Sequence, residues 1–328
     1  MSSYVLGIDL GGTKIEAAVF DDEGKIAGRH RDKTEAWRGQ DEVLERIVMV
    51  ARQAITNARI EFAQIAAIGI GSPGPLDPDT GHIIETANLP FRDFPLAPRL
   101  AEQFNNCPVV LNNDVDAGTY GEFRKGAAQQ ARFVLGVFVG TGIGGGLIID
   151  GKLYNGFNKN AAEIGHIVIR MGGPRCGCGN RGCMEALASR PSIARDIKRA
   201  MKNGKKSLMS KKMNKEGVIT SGDIKECYDA GDKVVKKIVN RAAEYIGAGI
   251  GSLVNVLSPE VIVFGGGVVE ALGEDFIRRI EKEIRRNAFE FSMQNVKVVK
   301  AQLGDDAGIT GAAMLAREAI GNKAASAN

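Results

Sequence analysis

Apolar and polar residues follow two periods along this chain, and the switches between them mark its elements. Val5-Leu6-Gly7-Ile8-Asp9-Leu10 reads as a short buried strand. Gly11-Gly12 turns the chain into a second strand, Lys14 to Phe20, and Gly24 into a third, Ile26 to Arg29. Over residues 41–58 the period becomes helical, with Val43, Leu44, Ile47, Val48, Val50, Ala51 and Ile55 sharing a face. Ile65 to Ile70 is a buried strand ended by Gly71-Ser72-Pro73-Gly74-Pro75, and a helix over 96–105 leads to the strand Val109-Val110-Leu111. Then the pattern restarts. Phe133 to Val139 is a strand, Gly140-Thr141-Gly142-Ile143-Gly144-Gly145-Gly146 a glycine turn, and Leu147-Ile148-Ile149 the next strand. Asp150-Gly151 signals a hairpin into Lys152-Leu153-Tyr154. A long helix over 234–257 precedes the strand Val261 to Phe264 and Gly265-Gly266-Gly267. Strand, glycine hairpin, strand thus occurs twice, which predicts two related α/β halves around a cleft.

Length agrees, since 328 residues suit two domains better than one. No apolar run reaches the roughly 18 residues of a membrane span, so a membrane partner is not expected. The start has no basic segment and Asp9 interrupts its apolar stretch, which argues against a signal peptide and makes the cytoplasm the default. With 43 basic and 39 acidic residues, the net charge of +4 is too balanced for a nucleic-acid partner. Lys198 to Lys215 is a local exception, with eight Lys or Arg and no acid; it reads as a solvated helix end and loop, or as an anion or partner patch.

Gly11-Gly12-Thr13-Lys14 sits between two strands and lacks Walker A spacing, so that motif is rejected. A glycine hairpin still suits phosphate, because backbone N–H groups approach the oxygens closely and Thr13 adds a hydroxyl. Asp9, at the end of the first strand, can hold Mg²⁺ through water. Alone, the hairpin is equally a structural turn. Its repetition as Gly140-Thr141-Gly142 suggests two hairpins on one polyphosphate, and Gly265-Gly266-Gly267 would admit a flat nucleoside. Asn112-Asn113-Asp114-Val115-Asp116 closes a strand where open α/β sheets place their ligands. A carboxylate there can take the proton of an attacking hydroxyl, or simply cap a helix.

The five cysteines are uneven: Cys107 and Cys227 stand apart, while Cys176, Cys178 and Cys183 cluster downstream of His166. One imidazole and three thiolates make a closed tetrahedral zinc site of the structural type. Glu163 and Glu185 flank this segment and suggest a polar pocket that recognises hydroxyl groups.

Together these motifs resemble the ROK family of repressors and sugar kinases, from Ile8 to about Ala316. The matching segments are Gly7 to Lys14, Gly71 to Pro75, Asn113-Asp114, Glu163-Ile164-Gly165-His166, Cys176 to Glu185, and Gly304 to Ala313. The cysteine segment is the specific one; the phosphate hairpin is shared with actin, hexokinases and Hsp70-type chaperones. The resemblance implies an α/β, two-domain, actin-like ATPase (ribonuclease H-like) fold. It places a smaller domain over 1–118, completed by a helix at about 307–322, and a larger one over 119–306 with its knuckle at 166–183. It implies ATP bound at Asp9, Gly11, Gly12, Thr13, Lys14, Gly140, Thr141, Gly142, Gly265, Gly266 and Gly267, and a sugar at Gly71, Asn88, Asn113, Asp114, Glu163, His166 and Glu185. Asp114 matches the catalytic base, with Asp116 as rival. His166 would ligate zinc with one nitrogen and face the sugar with the other. One departure is Ala162, where the family often has Gly.

The expected reaction is Mg²⁺·ATP plus a hexose giving hexose 6-phosphate, with glucose preferred and N-acetylglucosamine, N-acetylmannosamine, fructose, mannose and allose as alternatives. Homodimers are the family habit. A ROK-type repressor would need a helix-turn-helix ahead of Val5, and a chaperone-like ATPase would lack the cysteine cluster; both are disfavoured.

Overall fold

The computed structural model describes residues 4–86, 88–213 and 217–326; the start of the chain and Lys215 of the basic stretch lie outside them. Two compact units form. The first comprises Met1–Gln130, Gly146–Ala161 and Asp305–Asn328; the second comprises Ala131–Gly145 and Ala162–Gly304.

The first unit begins with β1 (Tyr4–Leu10), β2 (Lys14–Phe20) and β3 (Ile26–Lys33), then α1 (Gln40–Ala58) and β4 (Ile65–Ser72). Three short strands, β5 (Leu76–Asp77), β6 (His82–Glu85) and β7 (Arg92–Phe94), make a small sheet of their own. They are followed by α2 (Leu96–Gln103), β8 (Val109–Asn113) and α3 (Asp114–Lys125). The main sheet has the order β3-β2-β1-β4-β8, with β1, β4 and β8 parallel and the first three strands a meander. The interior strands β1 and β4 are buried along almost their whole length, as strands covered on both faces must be. α1 covers one face with Val43, Leu44, Ile47, Val50, Ala51 and Ala54. The C-terminal helix, α10 in chain order (Ala307–Ser326), crosses the sheet so closely that Gly7 and Gly69 meet its carbonyls at Ile309 and Ala312. Position 118 lies inside α3, whose residues run on to Lys125.

The rest of the chain supplies β9 (Val134–Val139), β10 (Ile143–Ile149), β11 (Lys152–Leu153), α4 (Met184–Ala188), α5 (Arg190–Lys202), α6 (Ser221–Asp229), α7 (Lys233–Leu257), β12 (Val261–Gly265), α8 (Gly267–Leu272), α9 (Glu274–Asn287) and β13 (Lys297–Lys300). The second sheet has the order β11-β10-β9-β12-β13. Gly144, Gly145 and Gly146, expected in a turn, belong to β10 instead. Neighbours press on two of these strand residues: a Cβ on Gly145 would meet the Ala162 carbonyl at 2.8 Å, and one on Gly146 would meet Thr119 Oγ1 at 2.3 Å. α7 buries Val235, Ile238, Val239, Ala242, Ile246 and Ile250. Among the described residues no helix is long and apolar enough to cross a membrane.

Candidate active site

In the first unit the candidate residues meet at the carboxyl ends of three adjacent strands. Register puts Asp9 of β1 beside Gly71 of β4, and Gly71 beside Asn112 of β8. Gly71 sits against α3, so that a Cβ there would lie 3.5 Å from the Asp114 Cα. Asn113 is the N-cap of α3: its Oδ1 accepts from the Val115 N–H at 2.9 Å and the Asp116 N–H at 3.3 Å. With that oxygen committed to the cap, its Nδ2 is the group left to donate to a ligand. The helix cap that the sequence allowed is therefore Asn113, and Asp114 is the first helical residue. Asp116, the rival base, is buried within α3.

The β1–β2 hairpin stands next to this cluster. The Gly11 N–H donates to the Lys14 carbonyl at 2.9 Å. Thr34, fully buried, pins the loop from below: its hydroxyl donates to the Gly11 carbonyl and its N–H to the Thr13 carbonyl. Thr34 was not expected from the sequence, since it is a lone threonine 21 positions beyond Thr13 with no motif around it. Gly12 packs on Asn88, where a Cβ would strike the Asn88 Cβ and carbonyl at 2.9 Å, so the β1–β2 hairpin and Asn88 are in contact. Thr13 is exposed, and Lys14 pairs with the buried Glu16.

Asp9 carries the strongest electrostatic signal here. Burial, then the like charge of Asp114, raises its pKa from the ordinary 3.8 to about 7, although Lys14 opposes the shift. Its carboxylate abuts Gly308 in the first turn of α10, 3.2 Å from where a Cβ would stand. Two carboxylates held close at strand ends form a site that a cation would stabilise.

In the second unit a different set converges. The Gly140 N–H donates to the Gly142 carbonyl at 2.9 Å, closing the Gly140-Thr141-Gly142 hairpin. Glu185, at the start of α4, joins this hairpin to the cysteine cluster: its Oε2 accepts from the Ile143 N–H at 3.1 Å, and its Oε1 accepts from the Cys176 thiol at 3.7 Å. The four ligand atoms of His166, Cys176, Cys178 and Cys183 lie within 4.8 Å of one another. The Cys178 and Cys183 sulfurs are 3.7 Å apart, and the Cys176 sulfur is 3.6 Å from His166 Nδ1. Around one tetrahedral zinc such pairs should be spaced about 3.8 and 3.6 Å, so the donor set fits. Burial pushes the Cys176 thiol up to about 12, while the Asn180 N–H holds Cys178 below its ordinary value.

His166 Nδ1 faces the thiols, and its Nε2 lies 3.9 Å from the exposed Glu163 carboxylate. Ala162 just before it holds φ 62°, the left-handed region where the Cβ is penalised and glycine is at ease. Gly265 and Gly266 close β12; Gly266 has φ 88°, and a Cβ on it would hit the Val139 backbone at 2.7 Å. Gly267 opens α8, and a Cβ on it would lie 3.8 Å from the Ser221 hydroxyl, an ordinary contact. Arg190, unforeseen in the sequence, contacts the hairpin at two points, through its N–H to the Gly140 carbonyl and its guanidinium to the Thr141 hydroxyl, each at 2.9 Å.

Known proteins resemble the chain over nearly its full length. The ROK family profile matches residues 5–319. A glucokinase from Halalkalibacterium halodurans is 34% identical over 96% of this chain and 95% of its own. Two crystal structures superpose at TM-score 0.82. One is a ROK hexokinase from Thermus thermophilus, 34% identical, covering 97% of this chain and 99% of that one. The other is a ROK family glucokinase from Streptomyces griseus in complex with glucose and AMPPNP, 33% identical, covering 96% and 100%.

Proposed function

The chain belongs to the ROK family, and on that premise we propose that it is an ATP-dependent hexose kinase acting on the 6-hydroxyl, with glucose as its sugar. The observation that carries this reading is the meeting of Asp9, Gly71, Asn113 and Asp114 at three strand ends beside the Gly11–Lys14 hairpin. Phosphoryl transfer passes through a loose transition state, so the protein's work is positioning and charge stabilisation. Asp114 accepts a hydrogen bond from the 6-hydroxyl, orients it, and takes its proton as the new bond forms. Asn113 donates through Nδ2, and Asn88 adds a further contact from its place against Gly12. Gly11, Gly12, Thr13 and Lys14 take ATP phosphate oxygens. Asp9 would hold Mg²⁺ through water, which neutralises charge on the phosphates when bound.

The second unit has candidate contacts of its own. Gly140, Thr141 and Gly142 bind phosphate, Gly265, Gly266 and Gly267 border the nucleoside, and Glu163, His166 and Glu185 hold sugar hydroxyls. His166, Cys176, Cys178 and Cys183 would hold a structural zinc, which fixes the loop and runs no chemistry. Because Glu185 and His166 touch the thiol cluster, the metal and the sugar contacts are mechanically linked. Reduced thiols of this kind suit the cytoplasm, and a homodimer is proposed from the family; light scattering during size-exclusion chromatography checks the latter. The functional division proposed is the 1–118 domain with the helix at 307–322, against 119–306.

An ADP-release assay with Mg²⁺·ATP across glucose, mannose, fructose, allose, N-acetylglucosamine and N-acetylmannosamine tests substrate choice. Highest kcat/KM on glucose is the expected result. Preference for an N-acetylated sugar would overturn the glucose assignment while leaving the kinase.

A further inference from the structure

The Gly140-Thr141-Gly142 hairpin carries a cation that no motif called for. Arg190 is held there by two hydrogen bonds, its N–H on the Gly140 carbonyl and its guanidinium on the Thr141 hydroxyl. It opens α5, whose first turn contains no acidic residue. The N-cap Ser189 does not cap the helix, since its hydroxyl donates to Ser192 instead, and Pro191 has no N–H to offer. Among the described residues the Arg190 guanidinium has no carboxylate partner, its side-chain hydrogen bond going to Thr141. Glu185, the carboxylate that also touches this hairpin, is engaged by the Ile143 N–H and the Cys176 thiol.

A positive side chain at the positive end of a helix is unfavourable unless an anion offsets it. Here the helix end, the guanidinium and the glycine-hairpin backbone all favour negative charge at one place. Above Gly140 there is open room, with no atom within 4 Å of where a Cβ would stand. A guanidinium that already donates to Thr141 has further N–H groups for a phosphate, and its planar fork suits two oxygens at once.

We propose that Arg190 is a phosphate-contacting residue of the nucleotide site, taking the terminal phosphates of ATP together with Thr141. This rests on the nucleotide reading of the hairpin. It adds a cation that selects for a triphosphate and stabilises charge on the transferred group.

Titration calorimetry without sugar tests it, using Mg²⁺·AMPPNP, ADP and AMP against wild type, Arg190→Ala and Arg190→Lys. For Arg190→Ala the affinity for AMPPNP should fall about tenfold or more. The loss should be smaller for ADP, and AMP should change less than about twofold. Arg190→Lys keeps the charge without the fork and should fall between. Thermal melting and zinc content unchanged from wild type show that the variants are folded. Equal losses on all three nucleotides, or none, would overturn the assignment in favour of a purely structural tie. Wild-type protein that binds no nucleotide would overturn both this inference and the reading beneath it. Nucleotide bound with the expected ladder, but no sugar phosphorylated, would support the arginine and sink only the kinase.

Discussion

Burial of the Asp9 carboxylate beside Asp114 costs stability, and Asp9→Asn should expose that. Burial and the charge of Asp114 lift its pKa from 3.8 to about 7. In the unfolded chain the group ionises near its ordinary value. Between pH 4 and 7 the folded state therefore binds more protons than the unfolded one, and stability from this group falls as pH rises. It is fully present below about pH 4 and is lost by the time the folded pKa is passed. At roughly 1.4 kcal/mol per pH unit, the displacement amounts to about 4 kcal/mol in metal-free protein. An asparagine removes that charge but buries an amide, which returns about 1–2 kcal/mol of the gain. The net expectation is about 2 kcal/mol, or about 4–8 °C in melting temperature. Thermal unfolding in EDTA from pH 4.5 to 8.5 reads this: the curves should nearly coincide at the acid end and separate progressively to pH 7.5. Adding Mg²⁺·ATP should narrow the gap, because a cation beside Asp9 relieves the same repulsion. A variant less stable than wild type at pH 8, or a gap that does not change with pH, would show that the buried Asp9 charge costs no stability.

Four further outcomes follow from the same geometry. Asp114→Asn should lower kcat by about 10²–10⁴ while sugar affinity, measured by calorimetry, changes little; a kcat near wild type transfers the base role to another group. Cys178→Ser should remove bound zinc, read by atomic absorption, and raise KM for the sugar more than KM for ATP, since Glu185 and His166 both touch the thiol cluster. Full zinc content with unchanged KM would break that linkage. Ala162→Gly should leave activity intact and raise stability by up to about 1 kcal/mol in denaturant titration, because φ 62° suits glycine better. Thr34→Val should weaken nucleotide binding without unfolding the chain, as it removes the hydroxyl that pins the Gly11 carbonyl; unaltered ATP affinity would make that hydrogen bond incidental.

What could be read from the sequence was what is local in the sequence. The β1–β2 hairpin, the covered strand β4 and the cysteine cluster each declare themselves within about ten residues, and the structure assembles them much as spacing implied. Strand ends were misjudged where solvent-facing residues continue the pairing: β3 runs on to Lys33, with its polar side chains outward. Glycines misled in β10, because composition alone cannot separate a turn from a strand pressed by a neighbour such as Thr119. The small sheet β5-β6-β7 escaped notice since its strands are two to four residues long. Contacts between distant segments were beyond reach. Thr34 under Gly11, Glu185 on Ile143 and Arg190 on Thr141 are made by the fold, and no pairwise spacing announces them. Asn113 shows the intermediate case, where the Asn-Asp pair was legible but which of the two caps α3 was not.

We propose that this chain transfers phosphate from ATP to a hexose 6-hydroxyl with Asp114 as the base. Phosphorus-31 NMR of wild-type protein with Mg²⁺·ATP and glucose tests both parts in one experiment, with Asp114→Asn run beside it. A sugar 6-phosphate resonance growing in step with ADP for wild type, and none above background for the variant, is the result expected. ADP and inorganic phosphate with no sugar ester on any hexose, or equal ester formation by Asp114→Asn, would contradict it.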